Sequence, residues 1–139
     1  MRVLVLCTGN SCRSQMAEGW LRHFGPGLDV HSAGVEAHGM NPRAVVAMAE
    51  AGVDISAHRS KIVEDLPALA WDVVVTVCDN ARERCPYLPG RFTRLHAPFF
   101  DPAQATGTEA EIAAQFRAVC ETIRVWAEAL VREQTDARP

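Results

Sequence analysis

Two short runs of valine and leucine, RVLVL over Arg2–Leu6 and WDVVVTV over Trp71–Val77, each end on a cysteine, Cys7 and Cys78. Runs of this kind suit strands covered on both faces, as in a parallel sheet, better than the half-exposed strands of an antiparallel one. Elsewhere the periodicity changes. Met16, Ala17, Trp20, Leu21 and Phe24 recur at helical spacing until Gly25-Pro26-Gly27 stops the pattern. Leu28–Ala33 predicts a second strand. Asn41-Pro42 has the N-cap and first-turn chemistry of a helix with Val45, Met48 and Ala49 on its apolar face, ended by Gly52. Phe92–His96 predicts a weaker strand. A long helix from about Thr108 carries Ile112, Phe116, Val119, Cys120, Ile123, Trp126 and Leu130 on one stripe and frays beyond Glu133. Strands alternating with helices predict an α/β fold, a parallel sheet flanked by helices on both faces with right-handed crossovers. Ligands of such folds sit beyond the carboxyl ends of the strands, where Cys7 and Cys78 fall.

A chain of 139 residues is expected to form a single domain over 1–139. With 22% charged residues, a net charge of -3 and no low-complexity tract, nothing points to a nucleic-acid or membrane partner. The apolar start, Met1–Leu6, is too short for the core of a secretion signal, so a cytoplasmic location is expected; the chain is also expected to be a monomer. In that compartment Cys7, Cys12, Cys78, Cys85 and Cys120 do not suit a structural disulfide framework. Their spacings also lack the paired knuckles of a metal site, so no metal is expected, and no histidine is placed by sequence as a base for a cysteine.

From Cys7 to Arg13 the spacing is C-x5-R, with Ser14 where a helix begins. A strand-to-helix turn of small and polar residues (Thr8, Gly9, Asn10, Ser11, Cys12) can point successive backbone N–H groups inward, and the helix dipole adds partial positive charge. Arg13 can close this anion cradle with a planar fork. The same field is expected to lower the pKa of the Cys7 thiol and make it a nucleophile. A cysteine ending a buried strand is by itself only a core residue; the Gly, Asn, Arg and Ser that follow are what argue for more.

CTGNSCRS, together with the Asp101-Pro102 dipeptide, resembles the low-molecular-weight protein tyrosine phosphatase superfamily. CTGNSCRSQMAEGW, SAGVEAHGMNP, VTVCDNARERCP and FFDPA are similar to its thioredoxin-coupled arsenate reductases, over Arg2 to about Ile123. The resemblance implies a four-stranded parallel sheet, with Cys7 as nucleophile, Arg13 as oxyanion ligand, Asp101 as general acid, Asn10 shaping the loop and Ser14 bonding the thiolate. It also implies a relay with no bound cofactor. Cys7 attacks arsenate, Cys78 attacks Cys7 and expels arsenite, and Cys85 attacks Cys78. Thioredoxin, the external reductant, then reduces the Cys78–Cys85 disulfide. Phosphate and sulfate would compete for the loop. If CDNARERC were helical, Cys78 and Cys85 would be roughly 10 Å apart along the axis, whereas a disulfide needs Cα atoms within about 7 Å. That segment is therefore expected to unwind, presenting the disulfide to its reductant. Cys12 and Cys120 are read as off-pathway and core, respectively.

Phosphatases of the superfamily usually have an aromatic residue after Asp-Pro and a proline after the loop's Arg-Ser; here Ala103 and Gln15 stand there. Some of the reductases bind potassium through residues matching Asn10, Glu18 and Ser32 plus a carboxylate after HxS. Here that carboxylate is replaced by Lys61, whose ammonium is expected to take the cation's place. Two alternatives stand beside the reductase reading: a phosphatase using Cys7, Arg13 and Asp101 with spectator cysteines, and a non-catalytic oxyanion or redox sensor.

Overall fold

The apolar run at the amino terminus becomes β1 (Arg2–Cys7), an inner strand in which Val3, Leu4, Val5, Leu6 and Cys7 are all buried. Successive strand residues point to opposite faces, so this unbroken burial means that both faces of the sheet are covered there. The structure, a computed structural model, describes residues 1–79 and 88–136. β1 leads through a loop into α1 (Arg13–Phe24), followed by β2 (Asp29–Gly34), α2 (Pro42–Glu50), β3 (Val73–Thr76), β4 (Thr93–His96) and α3 (Glu109–Asp136). The four strands lie in the order β2-β1-β3-β4, every pair parallel. The expected fold class is therefore the one observed.

Register brings the carboxyl ends together. Cys7 pairs with Gly34 of β2, and Leu6 with Thr76 of β3, so the peptides leaving β1 and β3 emerge side by side with Cys7 and Cys78 on them. β3 is shorter than the expected Trp71–Val77. Its ladder continues as isolated bonds at either end, Asp72 N to Arg2 O and Val77 N to Leu6 O, both 2.9 Å. β4 shows no buried residue, as befits an edge strand, which explains its weak apolar signal.

The three described helices pack against one another. Asn41 caps α2 as expected, its side chain accepting from the amides of Arg43 and Ala44. The buried face of α2 is Ala44, Ala47 and Met48, with Val45 partly covered and Ala49 exposed, so the expected face is rotated. The cause is α3: Cys120 points its sulfur at Met48 Sδ, 3.5 Å away, and small alanines let the two helices approach. α3 continues to Asp136, past the expected fraying point, with Glu128 bridging Arg124 and Arg132 in its last turns. Its stripe of Phe116, Val119, Cys120, Ile123 and Leu130 is buried as read, with Ala127 added. No described helix is long and apolar enough to cross a membrane.

Candidate active site

Between Cys7 and Arg13 the backbone makes an anion cradle by facing its carbonyls the other way. Residues 35–41 run alongside and bond to them: Val35 N to Cys7 O (3.3 Å), Glu36 N to Thr8 O (2.8 Å), His38 N to Gly9 O (2.9 Å) and Asn41 N to Ser11 O (2.9 Å). Gln15 Nε2 donates to Asn10 O at 3.2 Å, and Met16 N to Cys12 O at 2.9 Å. A trans peptide points its N–H opposite to its C=O, so engaging these carbonyls turns the amides of residues 8–13 toward the cleft. α1 starts at Arg13 without a side-chain cap, which leaves its first amides facing the same space.

Asn10 makes the turn. It is fully buried with φ of 47°, a left-handed conformation that asparagine tolerates better than most residues. Its Nδ2 donates to Ser14 Oγ (2.9 Å) and Ser32 Oγ (3.0 Å), and its Oδ1 accepts from Gln15 Nε2 (3.0 Å) and Lys61 N (2.9 Å). Ser32 passes the network on to the buried Glu18, donating to Oε1 at 2.6 Å. The cation on Glu18 is Arg22, with Nε 3.2 Å from Oε2, and His58 Nε2 lies 3.6 Å from the same oxygen. The Lys61 ammonium instead donates to Arg59 O at 3.1 Å. Lys61 thus joins the network through its backbone amide and through the attraction between its ammonium and Glu18, while Arg22, which sequence reading overlooked, makes the direct ion pair with that carboxylate.

The walls of the cleft, about 360 Å³ in volume, are Cys7, Thr8, Gly9, Ser11, Cys12 and Arg13 from the loop and α1, His38 from the strip, and Asp101, Ala103 and Gln104 from the turn before α3. Arg13 is held across it: Nη1 donates to Phe99 O at 3.2 Å, and Nη2 lies 3.5 Å from Asp101 Oδ2. Asp101 caps the short turn Pro102–Gln104 through a bond from Ala103 N (3.0 Å), so it is both a turn residue and a cleft carboxylate. The structure thereby brings Cys7, Arg13 and Asp101 together as expected. Ser14 is buried behind the loop on Asn10 rather than in the cleft lining.

Cys78, buried at the end of β3, lies 3.2 Å from Thr8 Oγ1 and beside the Cys7 thiol, close enough to act on its ionisation. The Cys78 thiol as a hydrogen-bonding neighbour, and then burial, hold the Cys7 pKa above its ordinary value, outweighing the opposing pull of the Arg13 guanidinium and the Thr8 amide. The expected lowering is therefore reversed: Arg13 acts in the anticipated direction, but the second sulfur, far off in sequence, acts more strongly. Burial, reinforced by Asp101, pushes the Cys12 thiol up to about 12, consistent with an off-pathway residue. Cys120 sits in the helical core and is raised mainly by burial. Cys85 lies outside the described residues.

Residues 2–137 match the model of the family described as low molecular weight phosphotyrosine protein phosphatase. Among curated relatives, an arsenate reductase of Bacillus licheniformis is 51% identical over 122 residues, 87% of this chain and 88% of that one. One of Bacillus subtilis (strain 168) is 50% identical over the same shares. Among solved structures, an arsenate reductase in the oxidized state aligns with a TM-score of 0.81 at 29% identity, covering 95% of this chain and 97% of that one. Another, in the phosphate binding state, aligns over the same shares at 0.75 and 31%.

Proposed function

Because the chain belongs to the low molecular weight phosphotyrosine protein phosphatase family, we propose that it is an arsenate reductase working by a three-cysteine relay, with thioredoxin as the final reductant. The observation that carries this reading is a second buried thiol, Cys78, brought beside Cys7 where the paired strands β1 and β3 end, close enough to act on its ionisation. A phosphatase needs only one sulfur there; a reductase needs a second within reach of the first, because two electrons must come from thiols.

Arsenate sits on the loop amides of residues 8–13 and the Arg13 fork. Cys7 attacks arsenic, its proton passes by way of Asp101 to an arsenate hydroxyl, and that oxygen departs as water. Cys78 then attacks the Cys7 sulfur. The S–As electron pair stays on arsenic, the Cys78 proton goes to the leaving oxyanion, and arsenite departs from a Cys7–Cys78 disulfide. Cys85 attacks Cys78 and frees Cys7, and thioredoxin's dithiol reduces the Cys78–Cys85 pair. Phosphatase activity on small esters is a side reaction, because the loop and Asp101 suffice for it. Ala103 at the cleft wall offers a phosphotyrosine ring no aromatic partner.

The test is NADPH oxidation driven by arsenate in the presence of thioredoxin and thioredoxin reductase. Cys78→Ser and Cys85→Ser are expected to abolish multiple turnovers while leaving hydrolysis of p-nitrophenyl phosphate within a few-fold of wild type. Normal arsenate turnover by both variants overturns the relay, and no turnover by the wild type overturns the activity.

A further inference from the structure

The turn that carries Cys78 is anchored on both sides. Val77, before it, is held by backbone: its N donates to Leu6 O at 2.9 Å and its O accepts from Phe99 N at 3.2 Å. Asp79, after it, is held by a side chain, with His96 Nε2 2.8 Å from Asp79 Oδ1. The other ring nitrogen, Nδ1, lies 2.7 Å from Thr76 Oγ1. Thr76 and His96 are register partners at the ends of β3 and β4, so the ring bridges from the strand ends to the first residue past Cys78. A carboxylate accepts but does not donate, so Nε2 carries a hydrogen, and the Thr76 hydroxyl can either donate to Nδ1 or accept from it. Both bonds therefore hold whether the ring is neutral or charged. The His96 side chain is 21% exposed and that of Asp79 75%, so a largely covered group fixes one at the surface.

We propose that His96 is a positioning residue for the second step of the relay, holding the backbone after Cys78 through Asp79 so that the Cys78 sulfur stays beside Cys7. The assignment rests on the reductase reading above. In that step a Cys7–Cys78 bond forms, the bond from Cys7 to arsenic breaks with its electron pair left on arsenic, and the Cys78 proton goes to the departing oxyanion. His96 takes no part in these transfers and acts by geometry alone. Cys78 Sγ lies 3.2 Å from Thr8 Oγ1, on the loop that starts at Cys7, and this placement depends on the path of residues 77–79 as they leave β3. The turn that carries Asp101 does not depend on the ring in the same way. The backbone leading to it is tied to β3 and its continuation by Ala97 N to Thr76 O at 2.8 Å and by the Phe99 bond to Val77. Loss of the ring's bonds therefore reaches the second sulfur and spares the acid.

The measurement is the rate of arsenite release in a single turnover, with saturating arsenate, no thioredoxin, and Cys85→Ser as the background so that oxidation stops at the Cys7–Cys78 disulfide. Hydrolysis of p-nitrophenyl phosphate by the same proteins is the control, since it uses the loop but not Cys78. Asp79→Ala, a truncation at an exposed position, is expected to slow arsenite release roughly five- to twenty-fold, less than the roughly hundred-fold that a misplacement of about 1 Å can cost, because the backbone bonds of Val77 remain. His96→Phe, which keeps a ring and removes both bonds, should slow release at least as much, and adding Asp79→Ala to it should slow release no further, as for two residues that act through one bond. Asp79→Asn keeps an oxygen to accept from Nε2 and should restore the rate. Hydrolysis should stay within about two-fold of wild type in all four variants. Equal losses of hydrolysis and arsenite release would make His96 a general structural residue and overturn the proposal. So would additive effects in the double variant, or an Asp79→Asn protein as slow as Asp79→Ala. Arsenite release indifferent to both residues overturns this assignment alone, whereas no release at all from the Cys85→Ser protein overturns reduction and the assignment with it.

Discussion

Asn10 shows how much of the site depends on one amide. It occupies a left-handed turn with no exposure and uses both ends of its side chain, on Ser14 and Ser32 at Nδ2 and on Gln15 and the Lys61 amide at Oδ1. Asn10→Ala removes four partners from a buried network, and is expected to cost about 2–4 kcal/mol of stability, since buried groups left unsatisfied are more expensive than the bonds they replace. The backbone adds a separable part. Asn10→Gly loses the same bonds but relieves the φ of 47°, and should be about 1 kcal/mol more stable than Asn10→Ala. Urea unfolding of both variants checks this; equal stabilities would mean that the turn carries no strain, and a loss below about 1 kcal/mol in both would mean that the network matters little. Cys7 offers the complementary lesson. Its neighbours in sequence lower its pKa, but the residue that decides the direction is Cys78, which joins it only when β1 and β3 pair.

At the scale of elements, the end of β2 is the part most tightly coupled to the loop. A Cβ on Gly34 would lie 2.3 Å from Glu36 O, 2.7 Å from Thr8 O and 2.9 Å from Asn10 N, all backbone atoms with no side-chain freedom to yield. Gly34→Ala is therefore expected to destabilise the protein by about 1–3 kcal/mol, the usual range for overpacking, and to weaken sulfate binding by shifting the strip off the loop carbonyls. A stable variant with unchanged sulfate affinity would show that the strip does not hold the loop. How far the sequence reveals these elements follows from how each is stabilised. β1 and β3 are legible because burial on both faces writes an unbroken apolar run. β4, at the edge, writes almost none. The rotation of α2 is illegible because Ala44, Ala47 and Ala49 look alike until Cys120 and Met48 choose a side. Cys7 and Arg13 can be read from the C-x5-R spacing, and Asp101 from the family resemblance that Asp101-Pro102 helps to carry. His38 cannot, because it reaches the cleft through a strip whose order comes from backbone bonds to the loop, and such bonds leave no side-chain periodicity.

For the whole molecule, burying several thiols has a consequence at high pH. Cys7, Cys12 and Cys120 are all raised above the ordinary thiol value of 9.0, so above that pH the folded chain holds protons that the unfolded chain has released. Their contribution is fully present below pH 9 and is lost as pH rises, each thiol taking about 1.4 kcal/mol per pH unit until its folded pKa is reached. Lys61 opposes this near the top of the range: burial lowers its pKa from 10.5, so its contribution grows as pH rises toward that value, one group against three. On the acid side the sign reverses for His58, whose pKa is lowered chiefly by burial, so its contribution is lost as pH falls below about 6.5. Stability should therefore be greatest near neutrality and fall more steeply toward alkali. Cys12 makes the argument testable, because its thiol is raised from 9.0 to about 12 and has no part in the proposed relay. Measured in reducing buffer, the stability advantage of wild type over Cys12→Ala should shrink by about 2 kcal/mol between pH 9 and 10.5, the effect of one retained proton over that interval. Parallel curves for the two proteins would mean that the Cys12 thiol ionises in the folded state as it does in the unfolded chain, and that its burial is not what opposes the charge.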